Sequence, residues 1–202
     1  MPLPFALIPT ASAEISFLVI IMSTTTESLI EALYKVEGKA EIVNGEILNM
    51  PPSGDLPVSA AGAIYISVRG YAKHTRKGRA YTEGAGFLVD LPNRNSFSPD
   101  VAFHTGKRTG MKFLKGAPLF AVEVRSESDY GLKAQRNMAQ KRTDYFAAGT
   151  LVVWDVDLLS DDVIGVYRRT DPLHPAIYRR GQLAEAEPAV PGWTFSVDDL
   201  FD

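Results

Sequence analysis

Residues 119–124 read Leu119-Phe120-Ala121-Val122-Glu123-Val124, an apolar run broken by a single carboxylate. A short apolar run of this kind reads as a buried strand. Alternation puts Phe120, Val122 and Val124 on one face, and Glu123 with Arg125 on the other. A carboxylate in such a strand is costly unless it is paired or binds a metal. Glu123 is therefore half of an ion pair with Arg125, a strand-edge carboxylate facing water, or part of a site. The residues that follow, Tyr130 to Ala148, form a helix with Gly149 in the C-terminal cap position. Leu151 to Val156 and Val163 to Tyr167 are then expected as a hairpin of strands.

Upstream, Thr26 to Glu37 predicts a short helix, and Ala40 to Asn49 a hairpin around Asn44-Gly45, the strongest short-range hairpin signal. Pro51-Pro52-Ser53-Gly54 is a loop, and Val58 to Lys77 a long Ala-rich helix. Tyr81 to Leu91 reads as a strand, Pro92 to Ser96 as a polar turn, and Val101 to Phe103 as a strand before a Gly/Lys-rich loop. Trp193 to Phe201 is one more short apolar segment. Helix, strands, then a helix between strands make a central mixed sheet flanked by helices, α/β or α+β, with an N-terminal hairpin.

The chain has 202 residues, no cysteine and a formal net charge of -3. That length suits one domain, and the 46% apolar content rules out a disordered chain. Without cysteine there is no disulfide framework, no thiol nucleophile and no thiolate metal site. Such a chain fits a reducing compartment, and the cytoplasm is the expected location. Residues 1–22 are expected to be an extension, disordered or an upstream mis-start, because Met22 opens a second plausible beginning. The apolar run Ile15 to Met22 is too short to span a bilayer, and no Lys or Arg precedes it, so no membrane partner is expected. Residues 23–202 are expected to be a single domain. Charge is unevenly placed: Leu56 to Thr82 holds no acid but contains Arg69, Lys73, Arg76, Lys77 and Arg79. Val101 to Val122 holds none either and contains Lys107, Arg108, Lys112 and Lys115. Local potential rather than net charge steers a polyanion, so these stretches are candidates for holding nucleic acid.

Asp100, after Pro99, heads the strand Val101-Ala102-Phe103. By itself Pro-Asp is a turn signal. On a strand neighbouring Glu123, however, it would set two carboxylates close enough to bind a hard cation such as Mg²⁺ or Mn²⁺. Lys141 shares a helix face with Ala134, Met138 and Tyr145, so it either snorkels or points into a site. Asp155 and Asp157 read most simply as turn formers. An Asp, a Glu and a Lys together suit metal-assisted phosphodiester hydrolysis, with the lysine orienting or deprotonating the attacking water.

These residues resemble a known family. Ser98-Pro99-Asp100-Val101-Ala102, Val122-Glu123-Val124-Arg125-Ser126, Lys141-Arg142-x-x-Tyr145-x-x-x-Gly149 and Val153-Trp154-x-Val156-Asp157 look like the Uma-two family of restriction-endonuclease-like proteins, part of the PD-(D/E)xK superfamily. The opening Glu41-Ile42-Val43-Asn44-Gly45-Glu46 and the Pro51 to Gly54 loop look similar too. The resemblance runs from about Glu41 to Tyr167. It implies a restriction-endonuclease-like core and a Mg²⁺- or Mn²⁺-dependent DNA endonuclease. Asp100 and Glu123 would be metal ligands assisted by the Val124 carbonyl, with Lys141 the catalytic lysine and Glu41 an accessory acid. Arg125 stands where the superfamily has its lysine, and is a second candidate for the cationic role. Family members often carry a histidine after the Pro-rich loop; here Asp55-Leu56-Pro57 stands instead. The implied partner is DNA, and a two-fold homodimer would suit a two-strand break. Two other readings stand beside it: a non-catalytic nucleic-acid-binding or oligomeric module that retains the fold, and a hydrolase of another phosphoester.

Overall fold

The structure, a computed structural model, describes residues 26–202. The expectations for residues 1–22 lie outside the described residues. Helix α1 covers 26–33, shorter than the expected 26–37, and its Leu33 is buried with Ala40 and Ile42. The N-terminal hairpin forms where its turn chemistry puts it. β1 (Lys39–Val43) pairs antiparallel with β2 (Glu46–Met50) around Asn44 and Gly45, both at positive φ (52° and 75°). Two such residues make the turn whose twist matches the strands it joins.

α2 (Asp55–Thr75) buries Ala60, Ile64, Val68 and Ala72, one residue every four, as a helix with one apolar stripe does. Ile64 and Val68 are fully buried, each stabilising by about 2 kcal/mol. The stripe packs on Val101, Phe103, Phe120, Val122 and Val124.

The expected strand from Tyr81 to Leu91 is two strands in two sheets. β3 (Arg79–Thr82) belongs to the large sheet and β4 (Phe87–Leu91) to the smaller one. Gly84, at φ +84°, turns the chain between them. The expected turn at Pro92 to Ser96 is also corrected: β5 (Arg94–Phe97) starts inside it and pairs with both β4 and β1. The following strands are β6 (Val101–His104), a two-residue β7 (Leu114–Lys115) and β8 (Phe120–Val124). Then come α3 (Leu132–Ala147), β9 (Val152–Val156), β10 (Ile164–Arg168), β11 (Asp171–Tyr178), and a small hairpin of β12 (Leu183–Glu185) and β13 (Thr194–Ser196).

The large sheet runs β11-β10-β9-β8-β6-β3 and is mixed, since β8 and β9 are parallel and the other pairs antiparallel. The smaller sheet runs β2-β1-β5-β4-β7. Strand alternation divides the core. Phe120, Val122 and Val124 face α2, whereas Ala121, Ala102 and Val153 face Tyr145 and Phe146 of α3 and Phe87 and Phe97 of the smaller sheet. The large sheet is thus flanked by α2 on one side and by α3 with the smaller sheet on the other, and the Glu123 face is turned toward α3. Among the described residues no helix is long and apolar enough to cross a membrane.

Candidate active site

Asp100, Glu41, Glu123 and Lys141 line one cleft of about 760 Å³ between the two sheets and α3. Each reaches it from a different element. Glu123 comes from β8, and Lys141 from the third turn of α3. Lys141 Nζ sits 2.8 Å from Glu123 Oε2 and 2.9 Å from Glu41 Oε1, so one ammonium bridges two carboxylates. One helical turn on, the Tyr145 hydroxyl donates to Glu123 Oε1 at 2.7 Å. Tyr145 is fully buried and stacks on Phe97 with centroids 4.0 Å apart. Both oxygens of Glu123 are therefore held by one face of α3, through residues four apart.

Asp100 precedes β6, next to β8. Its N–H donates to the Val122 carbonyl at 3.0 Å, and its Oδ2 accepts the Val124 N–H at 2.8 Å. Its other oxygen meets the ammonium of Lys39 at the start of β1. The strand pairing of Val101 with Val122 places Asp100 and Glu123 on neighbouring strand ends, as expected.

Glu41 and Glu123 share Lys141 yet shift in opposite directions. Burial pushes the Glu41 carboxyl up, but Lys141, Arg94 and the Ser98 N–H (2.8 Å) together hold it below its usual value. Burial pushes Glu123 up as well. Lys141 pulls it down, but the negative charges of Asp100 and Glu41 add to the rise, and it ends above the usual carboxylate range. Burial alone would lower the Lys141 ammonium. The two carboxylates outweigh that and raise it, so it stays protonated. Burial first, and then Glu123, push the Tyr145 hydroxyl well above its ordinary value, so it remains a donor.

Several members of the site escape a reading of the sequence. Lys39 carries no motif and reaches Asp100 only because the smaller sheet folds over the larger. Tyr145 reads as part of an apolar stripe; its spacing from Lys141 is the signal that points to it. Arg94, expected in a turn, is buried and pairs with Glu41 and, at 2.8 Å, with Asp144. Asn93 and Gln140 also donate to Asp144, each at 2.9 Å. Replacing Arg94 with Met would leave Glu41 and Asp144 short of their shared cation in a dry site. The expected loss is roughly 3–5 kcal/mol of unfolding free energy by denaturant titration, the cost of breaking a buried pair from one side.

Arg125 does not pair with Glu123. Its guanidinium grips Asp155 through two bonds of 2.8 and 3.0 Å and reaches Asp157 at 3.1 Å. Asp155, expected as a turn former, is a buried strand residue opposite Glu123, and Arg142 also binds it at 2.9 Å. Arg125 thus ties the end of β8 to β9. The basic residues Arg69, Lys73, Arg76, Lys77, Lys107 and Arg108 do not line the cleft.

Asp100 and Glu123 offer the hard oxygen donors that Mg²⁺ and Mn²⁺ take, and such ions often bind through one or two carboxylates plus water. Among the described residues no group of three or more His, Cys, Asp or Glu is arranged to hold a metal. Burial first, and then Asp100 and Glu41, raise Glu123 against the pull of Lys141 and Lys39. The four oxygens of these two carboxylates accept from Lys39, the Val124 amide, Lys141 and Tyr145, so the donor type suits a hard cation but a bound ion would share or displace these partners. Val124 has its amide turned toward Asp100.

A family model, Uma2, described as "Putative restriction endonuclease", matches residues 28–198. A solved structure described as "a putative nuclease belonging to DUF820 from Anabaena variabilis ATCC 29413" has the same fold, with a TM-score of 0.67 at 18% identity over 85% of this chain and 96% of that one. No curated protein matches.

Proposed function

The chain belongs to the Uma2 family of restriction-endonuclease-like proteins, and on that premise we propose that its cleft is the active site of a metal-dependent DNA endonuclease. The observation that carries the reading is the convergence of Asp100, Glu123 and Lys141, from a loop, a strand and a helix, on one cleft. Asp100 and Glu123 would hold a Mg²⁺ or Mn²⁺ ion, which when bound lowers the pKa of a coordinated water and offsets phosphate charge. Hydrolysis adds a water oxygen to phosphorus and breaks one phosphodiester P–O bond, and the departing sugar oxygen takes up, through solvent, the proton that the water gives up. Lys141, held protonated between Glu41 and Glu123, has no capacity to take a proton from that water. Its role is to fix the Glu123 carboxylate and to present positive charge to the developing phosphorane. Tyr145 fixes the second Glu123 oxygen. Arg125, committed to Asp155 and Asp157, anchors the strand end that carries Glu123 rather than serving as the reacting cation.

The test is cleavage of supercoiled plasmid and single-stranded DNA with Mn²⁺, Mg²⁺ or EDTA, alongside Asp100→Asn. Metal-dependent nicking that falls at least ~100-fold in the variant is expected, the scale of losing one charge-stabilising group in an active site. Nicking that survives the substitution would overturn the assignment. No nicking, with no Mn²⁺ heat in a calorimetric titration, would instead favour a non-catalytic module with this fold.

A further inference from the structure

The two basic stretches meet in space, and they meet away from the cleft. β3 and β6 pair with Arg79 opposite His104, and the Arg79 guanidinium donates to the Gly106 carbonyl. That pairing sets the end of α2 beside the loop after β6. Arg69, Lys73, Arg76 and Lys77 on one side, and Lys107 and Arg108 on the other, are all exposed. None of the six forms an ion pair among the described residues. Neither segment that carries them, 56–82 or 101–122, contains an acid. A lone surface lysine signals nothing, but six cations gathered from two segments build a local positive potential on a chain of net charge -3.

The topology separates this patch from the catalytic groups. Asp100 precedes β6, so Lys107 and Arg108 leave the sheet at the opposite end of that strand. α2 begins beside Asp100, where Pro57, Val58 and Ala61 line a small recess together with it. Its 21 residues, at about 1.5 Å each, carry the chain roughly 30 Å before Arg76 and Lys77.

We propose that this end of the large sheet is a second nucleic-acid contact, one that grips the phosphate backbone of DNA outside the cleft. The choice of DNA as the polyanion rests on the nuclease reading. The six exposed side chains are all Lys or Arg, which suits backbone contacts more than base readout. At about 3.4 Å per base pair, a duplex must exceed roughly nine base pairs to span from Asp100 to Arg76 and Lys77, whereas Arg69, Lys107 and Arg108 lie nearer. The patch therefore favours long duplexes over short ones.

The test uses the full chain and two probes, a 30-base-pair duplex and an 8-base-pair hairpin. Binding is followed by fluorescence anisotropy in EDTA across a salt series. One variant is Lys73→Glu/Arg76→Glu/Lys77→Glu, and another is Lys107→Glu/Arg108→Glu. Arg179→Glu/Arg180→Glu, on exposed arginines from another part of the chain, matches the charge change of the second variant. The long duplex should bind each patch variant at least about 10-fold more weakly. The slope of log K against log salt should flatten by about 0.9 for every phosphate the variant no longer neutralises. The control should keep its affinity, and Mn²⁺-dependent cutting of the hairpin should be the same in the control and in the Lys73→Glu/Arg76→Glu/Lys77→Glu variant. Unchanged affinity and slope in both patch variants would overturn the proposal, as would an equal loss in the control. Loss of binding to phosphatidylserine vesicles with duplex binding intact would also overturn it, in favour of lipid headgroups. If wild-type protein cuts nothing with any metal, the nuclease reading fails, while the EDTA binding series still decides whether the patch holds DNA.

Discussion

Lys141→Ala is expected to reduce cleavage at least ~100-fold and, separately, to lower the unfolding free energy by about 3 kcal/mol. The two losses share one cause. Glu41 and Glu123 stand on either side of a single ammonium, 2.9 and 2.8 Å away, and the Glu41 side chain is only 3% exposed. Alanine removes the charge that both face. Arg94 still serves Glu41, but Glu123 keeps only the Tyr145 hydroxyl and the pull of the Lys39 charge, with Asp100 and Glu41 repelling it. The sign of the pH dependence follows. In the wild type Glu41 is held below its unfolded value, so the stability it contributes is present above that value and is lost as pH falls through the folded one. In the variant, carboxyls robbed of their cation shift upward, and the folded state binds more protons than the unfolded chain. Stability then falls as pH rises through those raised values. The deficit against wild type should be widest at neutral and alkaline pH and narrow toward acid, as read by denaturant titrations across pH. A deficit that stays constant with pH would mean lost packing and not lost charge. Mn²⁺ binding through Asp100 should persist in the variant.

What the sequence discloses here is what local chemistry can disclose. Asn44-Gly45 specifies its turn from two residues, and Glu123 stands out because five apolar neighbours surround it. Lys141 and Tyr145 fall on one helix face by spacing alone. The features it hides all have partners distant in the chain. Asp155 can lie buried in a strand because Arg125 and Arg142 converge on it, and nothing in Trp154-Asp155-Val156 announces them. Lys39 joins the site only through the packing of the smaller sheet on the larger. β5 begins at Arg94 and reads as a turn because its polar residues look solvated, whereas Arg94 and Ser96 are buried against Glu41 and the Ile42 amide. β11, Asp171-Pro172-Leu173-His174-Pro175, contains two prolines and does not read as a strand. It is an edge strand, the position in a sheet that tolerates a missing N–H.

Glu123→Gln separates the two functions that one contact serves. Cleavage is expected to drop by ~100-fold or more, because a neutral amide is a poor ligand for a hard cation. Stability is expected to stay equal or rise, the opposite of Lys141→Ala. Glu123 is a carboxyl whose folded value lies above its ordinary one, from burial first and then from Asp100 and Glu41 against the pull of Lys141. Such a group favours the folded state when protonated, and that advantage is lost as pH rises through the raised value. Above that raised value the wild type carries the charged, disfavoured form, whereas glutamine carries the neutral one permanently. The replacement keeps the geometry. The amide oxygen can accept from Lys141 in place of Oε2, and the amide nitrogen can donate to the Tyr145 oxygen in place of Oε1. Thermal unfolding of wild type and variant near pH 8 should give an equal or higher Tm for glutamine, with the difference shrinking toward pH 4. A clear fall in Tm at pH 8 would show that the Glu123–Lys141 attraction outweighs the cost of the buried charge. An inactive variant that gains stability would mark Glu123 as a residue held for chemistry at the expense of the fold.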